Sequence, residues 1–369
     1  MIEKKEIPKI QHFVPQFFQR YFSFKNNGKT IGIFNVNNGI FRESTPIRTQ
    51  FYEDYLYGKS GQLETWLSDL ENESAPIFRA MWENETLPPY ESVTQLKMLN
   101  FLIVLDIRNP IRFNNLKCFE DLIANTKSKI RNGNIPPDLI ETFKYLRTER
   151  GKISSLVSAV KIVPEMIDLK YKLIKNISSK PFVISDNPLV MYNQFLESKK
   201  LSVISQRGYG QKGLQMFLPL NDSYMLIVYD SNIYKVGNKK DKVVTIDDVK
   251  SIDQLNILQF LNSTGTICFN HRASEHYLRV LFEKSKRFKK ANEIFIKVHR
   301  VEDKYGGIKP DEEIVELGIT DLNIKLTIQK IRFTSKSVAV KVDSKLAQYR
   351  EGVNLSKDNV IKILSIVPT

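Results

Sequence analysis

Near Lys170 the sequence changes period, and that switch narrows the available folds more than any other feature. Before it, apolar residues recur at helical spacing. Leu63, Trp66, Leu67, Leu70, Ile77, Phe78 and Met81 trace one face over roughly 64–82, and a second, strongly apolar stretch from about 92 to 108 stops before Asn109-Pro110. Pro76 lies inside the first stretch and predicts a kink or a break into two helices. Two or three further helices fill the span to about 167, parted by NGNIPPD (Asn132 to Asp138) and by Pro164. After Lys170 come KYKLIKN, PFVIS, LVMYN, LSVIS, QMFLPL and YMLIVYD, short β-branched or aromatic segments between Gly, Asn, Asp and Pro. They predict a mainly antiparallel sheet over roughly 170–230. The expected class is therefore α+β, a helical N-terminal half packed on that sheet. An early hairpin is expected where Asn37-Asn38-Gly39 parts TIGIFNV from IFRES. IDDVKSIDQLNILQFLN and ASEHYLRVLFEKSKRF return to helix, and TICFN reads as one more strand. From about 292 the alternation in IFIKVHRV, LNIKLTIQKIRF and SVAVKV predicts a strand-rich C-terminal appendix. The expected parts are 1–168, 169–291 and 292–369.

A chain of 369 residues can bury a large core. Lys+Arg 55 against Asp+Glu 41 gives a net charge of +14, which suits an encounter with a polyanion or, equally, a lysine-rich surface that is merely solvated. Cys118 and Cys268 are too few for a disulfide framework or a thiolate zinc site and suit a reducing compartment. The opening MIEKKEIPKI has no apolar signal region, and the longest apolar stretch, Met98 to Leu105, is interrupted by Asn100 and falls far short of the ~20 residues of a spanning helix. The expectation is a cytoplasmic protein without a membrane span.

Five segments carry residues able to do chemistry. His12 precedes Phe13-Val14-Pro15, and Val14, Phe17, Phe18, Tyr21 and Phe22 then form a helical stripe that Pro15 initiates. The stripe accounts for the aromatic residues as core. His12 is left at a helix mouth, as a capping group or as part of an anion or metal site. In PFVISDNPLVMY, Ser185, Asp186 and Asn187 stand at a strand end, where they either satisfy an Asx-Pro turn or present a carboxylate, an amide and a hydroxyl at a sheet rim. Glu64 and Glu71 share a helix face, and Glu71 has Arg108 and Arg112 as candidate partners. RGYGQKG, Arg207 to Gly213, nominally fits a phosphate-binding glycine pattern but runs between strands, which favours a turn. His271 and His276 lie five apart near Cys268, on different faces of a helix, a poor spacing for a metal.

Taken together, HFVP (His12 to Pro15), QFYED (Gln50 to Asp54), LETWLSDLENESAP (Leu63 to Pro76), IRNPIR (Ile107 to Arg112), ISDNP (Ile184 to Pro188), FLPLN (Phe217 to Asn221) and LNILQ (Leu255 to Gln259) resemble a bacterial family, domain of unknown function 4238. The resemblance runs from about residue 9 to about 270, and HxVP followed by SDNP is its specific part. Asp106 departs from the amide more usual there, and Asn221 from a serine. The resemblance implies that His12, Glu71, Arg108, Asp186, Asn187 and Asn256 form one set, brought together by the fold. It supplies no reaction. Its association with mobile-element and phage-defence genes implies a nucleic-acid or nucleotide target.

The expectation that follows is a metal-dependent nuclease or phosphodiesterase. Glu71 and Asp186 would hold Mg²⁺ or Mn²⁺, His12 would act as base or third ligand, and Arg108 would stabilise charge on phosphate. The alternative is a non-catalytic module in which the same residues bind or sense a nucleotide or nucleic acid.

Overall fold

The computed structural model describes residues 9–126, 137–199, 208–291, 293–302, 308–340, 342 and 349–351. Strand β1 (Ile10–His12) leads into the single turn α1 (Gln16–Arg20); β2 (Thr30–Asn35) and β3 (Phe41–Pro46) form the expected hairpin, and β4 (Tyr52–Asp54) returns to pair with β1. Gly39, at φ 70°, takes the left-handed position that the hairpin turn needs. Helices α2 (Gln62–Glu83), α3 (Val93–Ile107), α4 (Pro110–Thr126), α5 (Pro137–Arg147) and α6 (Glu149–Ala159) make up the helical half. A 3-10 segment, Val160–Met166, contains Pro164. NGNIP, residues 132–136, falls outside the described residues, as does LSVIS.

Pro76 does not divide α2, which runs unbroken through it for 22 residues. Its apolar face, with Leu63, Leu67, Phe78 and Met81 buried, holds the helix together across the missing N–H, and Tyr21 Oη donates to the Ala75 carbonyl at 3.2 Å beside the defect. α3 starts where Ser92 accepts a hydrogen bond from Gln95 N and ends at Arg108, ahead of Asn109-Pro110.

Beyond these helices run β5 (Lys170–Asn176), β6 (Ile184–Ser185), β7 (Val190–Tyr192), α7 (Gln194–Ser198), β8 (Gln215–Pro219), β9 (Tyr224–Tyr229), β10 (Tyr234–Val236), β11 (Val243–Ile246), α8 (Val249–Asn262), β12 (Thr266–Phe269) and α9 (Glu275–Ser285). A five-stranded sheet of order β11-β5-β9-β8-β7 is antiparallel except where β11 joins β5. Strand alternation divides its side chains between two cores. Leu173, Met216, Leu218, Leu226 and Val228 pack with Phe78, Leu99, Phe101 and Leu156 of the helical half. Ile174, Phe217, Met225 and Ile227 face Leu255, Leu258, Leu278 and Leu281 of α8 and α9. Both faces are covered, so β8 is buried at all five residues rather than alternating.

A second sheet, of order β3-β2-β12-β6, joins the early hairpin to strands more than 130 residues later. The 168/169 division is therefore crossed by hydrogen-bonded strands. Past residue 292, β13 (Ile294–Glu302) and β14 (Ile308–Ile319) pair as a long hairpin, and β15 (Ile331–Phe333) pairs with β10. SVAVKV does not make the expected strand. Residues Ser335–Ala339 form α10, started by Thr334, whose side chain accepts from Ser337 N. No helix among the described residues is long and apolar enough to cross a membrane.

Candidate functional site

The six residues singled out in the sequence divide between two polar networks anchored by consecutive residues, Arg108 and Asn109. Arg108 caps α3 and is 2% exposed. Its Nη1 meets Glu71 Oε1 at 2.7 Å, its Nη2 donates to the His12 carbonyl at 2.6 Å, and its Nε donates to Tyr57 Oη at 3.2 Å. Tyr57 Oη in turn donates to the Arg108 carbonyl at 3.1 Å. Gln11, beside His12 on β1, accepts from Tyr57 N at 2.7 Å and donates to the Gly58 carbonyl at 3.1 Å. One buried guanidinium thus fastens β1, α2 and the segment after β4 to the end of α3, with its charge matched by Glu71.

Burial perturbs Tyr57, Arg108 and Glu64. Burial pushes the Tyr57 hydroxyl up to about 12, so it stays a neutral donor. Burial works against charge on Arg108, but Tyr57 and Glu71 outweigh it and its pKa is raised. Glu64, one face of α2 away from solvent, is raised by burial, with Arg108 opposing and Glu71 adding to the shift. Its Oε2 is buried without a hydrogen-bond partner. Glu64 thus holds its proton more readily than a free carboxyl, chiefly because it is half-buried.

His12 enters this network through its backbone. Its half-buried ring lies 3.4 Å from the Gln16 side-chain amide and 6.0 Å, centroid to centroid, from Tyr52. Burial lowers its pKa, a bond to the Arg48 backbone opposes, and the charges of Arg108 and Arg20 lower it further, so the imidazole is neutral near pH 7. Gln16 also lines a groove of about 410 Å³ with Arg20, Lys29, Thr30, Pro46 and Arg48. The groove carries three cations and no acidic side chain. Among the described residues none of the three has a carboxylate partner, and the Arg20 guanidinium donates to Gln16 Oε1 at 3.2 Å.

Asn109 anchors the second network by donating to the Asp186 carbonyl at 2.7 Å. The Asp186 carboxylate, buried at 5% exposure, accepts from Thr264 N at 2.8 Å, Thr264 Oγ1 at 2.7 Å, Gly265 N at 2.7 Å and Thr266 N at 2.9 Å. It closes the turn between α8 and β12. Burial raises its pKa against the pull of these donors. Asn256 accepts from Val183 N and donates to the Pro181 carbonyl and to Tyr277 Oη. Gln259 accepts from Ser185 N and donates to the Pro188 carbonyl, while Asn262 donates to the Asn187 and Leu189 carbonyls. The three amides repeat every three residues along α8 and clamp the whole SDNP segment. Asn187 Oδ1 is buried without a partner.

The fold therefore groups Glu71 and Arg108 with the His12 backbone, and separately groups Asp186, Asn187 and Asn256. Glu71 and Asp186 fall in different networks, and the Asp186 oxygens already face four donors, which leaves a poor seat for a cation. Among the described residues no three His, Cys, Asp or Glu side chains stand together as a metal-ligand group. His271 Nδ1 accepts from Lys25 N instead. Asp106, the departure from an amide, is buried and accepts from Arg112 and from Tyr209 Oη, which belongs to the glycine-containing loop. Asn221 accepts from Ser223 N and Tyr224 N in the turn before β9. Sequence reasoning missed Tyr57, Gln11, Asn109, Gln259 and Asn262. Only the α8 amides had a signal, since Gln259 and Asn262 continue a three-residue repeat from Asn256 along one helix.

Residues 10–273 match the family described as a protein of unknown function, DUF4238, and so span both networks and the groove. The chain belongs to the DUF4238 family. Its HxVP motif begins at the last residue of β1 and its SDNP motif at the last residue of β6, one in each network. The comparison with curated proteins and that with solved structures returned no match.

Proposed function

We propose that this DUF4238 protein is a nucleic-acid or nucleotide-binding module whose contact surface is the groove beside His12. The observation that carries the reading is the groove's charge: Arg20, Lys29 and Arg48 line it, with no acid among its lining residues. A phosphodiester backbone is the ligand chemistry that such a surface favours, and the net charge of +14 adds long-range attraction. The Arg108 network then holds β1, which leads into α1 and the groove, in place. On this reading the protein works in the cytoplasm, and a phage-defence role would be one of sensing. The test is fluorescence polarisation with labelled single-stranded RNA and DNA across a salt series. Three neutralised phosphates give a log–log slope of about −2, at ~0.7 per contact, and Arg20→Glu with Arg48→Glu should weaken binding by about tenfold or more. Salt-independent binding, or binding indifferent to both reversals, would sink it.

A second, hydrolytic reading draws on one observation, Glu71 paired with Arg108 on the α2 face that also carries the half-buried Glu64. A carboxyl whose pKa is raised by burial, near a second carboxyl paired with an arginine, suits general acid–base work in a nuclease or phosphodiesterase. Mg²⁺ or Mn²⁺ would have Glu71 as its more accessible carboxylate. Metal-dependent cleavage of the same oligonucleotides, abolished in a folded Glu71→Gln variant, would establish this reading over the first.

A further inference from the structure

A second cationic cavity lies away from the His12 groove, where the residues matching the family meet the segment after them. β15 pairs with β10 in the register Lys235↔Arg332, and the Gly237 amide donates to the Lys330 carbonyl at 2.8 Å. Lys235, Lys330 and Arg332 all line a cavity of about 320 Å³ with Gly237, Asn238 and Thr245. Asp241 is the one acidic residue of that lining, and its Oδ2 accepts from Asn238 N at 3.3 Å. Among the described residues none of the three cations has a carboxylate partner. The turn between β10 and β11 adds Lys239, Lys240 and Lys242.

Two features of this arrangement are unfavourable by themselves. Lys235 and Arg332 stand directly opposite on antiparallel strands, where side chains of like charge repel at Cβ separations of about 5 Å. Lys330, beside them, holds φ at 68°, a left-handed conformation that a non-glycine residue adopts at a cost. Below them the buried Lys172 ammonium donates to the Asn238 carbonyl. Its pKa is lowered by burial, with Lys235 adding to the shift and Asp241 opposing it. A bound anion relieves the repulsion and uses all three cations. The space fits a ligand larger than one phosphate group, being at the low end of the ~300–1,000 Å³ typical of small-molecule pockets.

We propose that the cavity between β10, β11 and β15 is a binding site for a soluble ligand bearing two adjoining phosphates, with Lys235, Lys330 and Arg332 as its contacts. Lys330 and Arg332 lie beyond the residues that match the family, so the segment after residue 273 completes a site that the rest of the chain only begins. The proposal does not rest on the His12 groove.

The test is isothermal titration of the full chain with inorganic pyrophosphate, a nucleoside diphosphate and orthophosphate at matched ionic strength. Pyrophosphate should bind at least tenfold tighter than orthophosphate and raise the melting temperature. If the nucleoside diphosphate binds tighter still, the physiological source is a nucleotide; if equally, the diphosphate alone is read. Lys235→Gln with Arg332→Gln should lose tenfold or more in affinity while the unliganded protein melts no lower, because the repulsion is gone. Asp241→Asn keeps the question open to test should that double variant fold poorly, since removing the one acid should tighten pyrophosphate binding severalfold. Equal affinity for pyrophosphate and orthophosphate, or unchanged binding in both variants, overturns the proposal. Arg20→Glu and Arg48→Glu should leave pyrophosphate binding intact, which separates this site's failure from that of the groove.

Discussion

Arg108 and Asn109 are neighbours in sequence, yet the networks they anchor are built from different materials. Around Arg108 stand ionisable groups, Glu64, Glu71, Tyr57 and the His12 segment, several with shifted pKa values and with Glu71 a quarter exposed. Around Asn109 stand amides and backbone groups, almost all buried and paired, and the one carboxylate there is surrounded by four donors. Amides satisfy backbone at fixed cost and no dependence on pH. Ionisable groups at a partly open boundary can exchange protons and respond to ligands. The difference marks the α8–SDNP network as architecture and the Arg108 network, with the cationic groove beside it, as the place where chemistry or binding can be felt.

Arg108→Met should break the first network most severely. It leaves Glu71, the His12 carbonyl and Tyr57 without their common partner, and losing one member of a buried ion pair costs about 3 kcal/mol or more. Urea denaturation of the variant measures it. Adding Glu71→Met should recover part of the loss, because the uncompensated carboxylate is then gone; no recovery would mean that the backbone contact to His12 dominates.

Asp186→Asn is the corresponding strike at the second network. An amide offers one acceptor oxygen and turns a donor towards Thr264, Gly265 and Thr266, so some of those N–H groups lose their partner at a cost of about 2 kcal/mol. A simple turn residue would lose about 1 kcal/mol or less. Thermal melts with and without Mn²⁺ should shift by the same amount in wild type and variant. Stabilisation by Mn²⁺ of the wild type alone would return Asp186 to the hydrolytic site.

The elements themselves were legible in the sequence, because period is a local property: α2, α3, α8, the β2–β3 hairpin and strands β5, β8 and β9 all fall where the apolar spacing places them. Pairing was not. That β2 meets β12, or that β15 meets β10, depends on contacts between residues far apart, which no window of the sequence contains. The α10 error has a local cause, since Thr334 as a helix cap outweighed the alternation of Val338 and Val340. For the site, the residue types in HFVP, SDNP and IRNP pointed to polar clusters. Their division into two depended on Asn109, whose side chain looks like ordinary turn chemistry before a proline.

A smaller effect separates the networks by pH. Glu64 has its folded pKa raised above the usual 4.5, so the folded state holds that proton more tightly than the unfolded chain. Its contribution is most favourable at and below pH 4.5 and declines as the pH rises through the folded value. Glu64→Gln should therefore melt higher than wild type at pH 8 and alike at pH 4. A pH-independent difference would mean that Glu64 keeps its charge, and the hydrolytic reading would lose its acid.

The smallest expected effect belongs to His12, and it discriminates best between binding and hydrolysis. Its folded pKa lies below the usual 6.5, so the unfolded chain takes up the proton first. The neutral ring stabilises the fold above pH 6.5, and that stability is lost as the pH falls through 6.5 towards the folded value. His12→Gln keeps a polar side chain beside Gln16 and should remove this acid-side slope while changing the melting temperature little at pH 7.5. Because the ring is uncharged there, it adds nothing to the charge of Arg20, Lys29 and Arg48, and nucleic-acid affinity should stay within about threefold, under 1 kcal/mol. Should His12→Gln instead abolish a cleavage activity with binding and folding intact, the neutral imidazole is acting as a base, and the groove would be the substrate track of an enzyme.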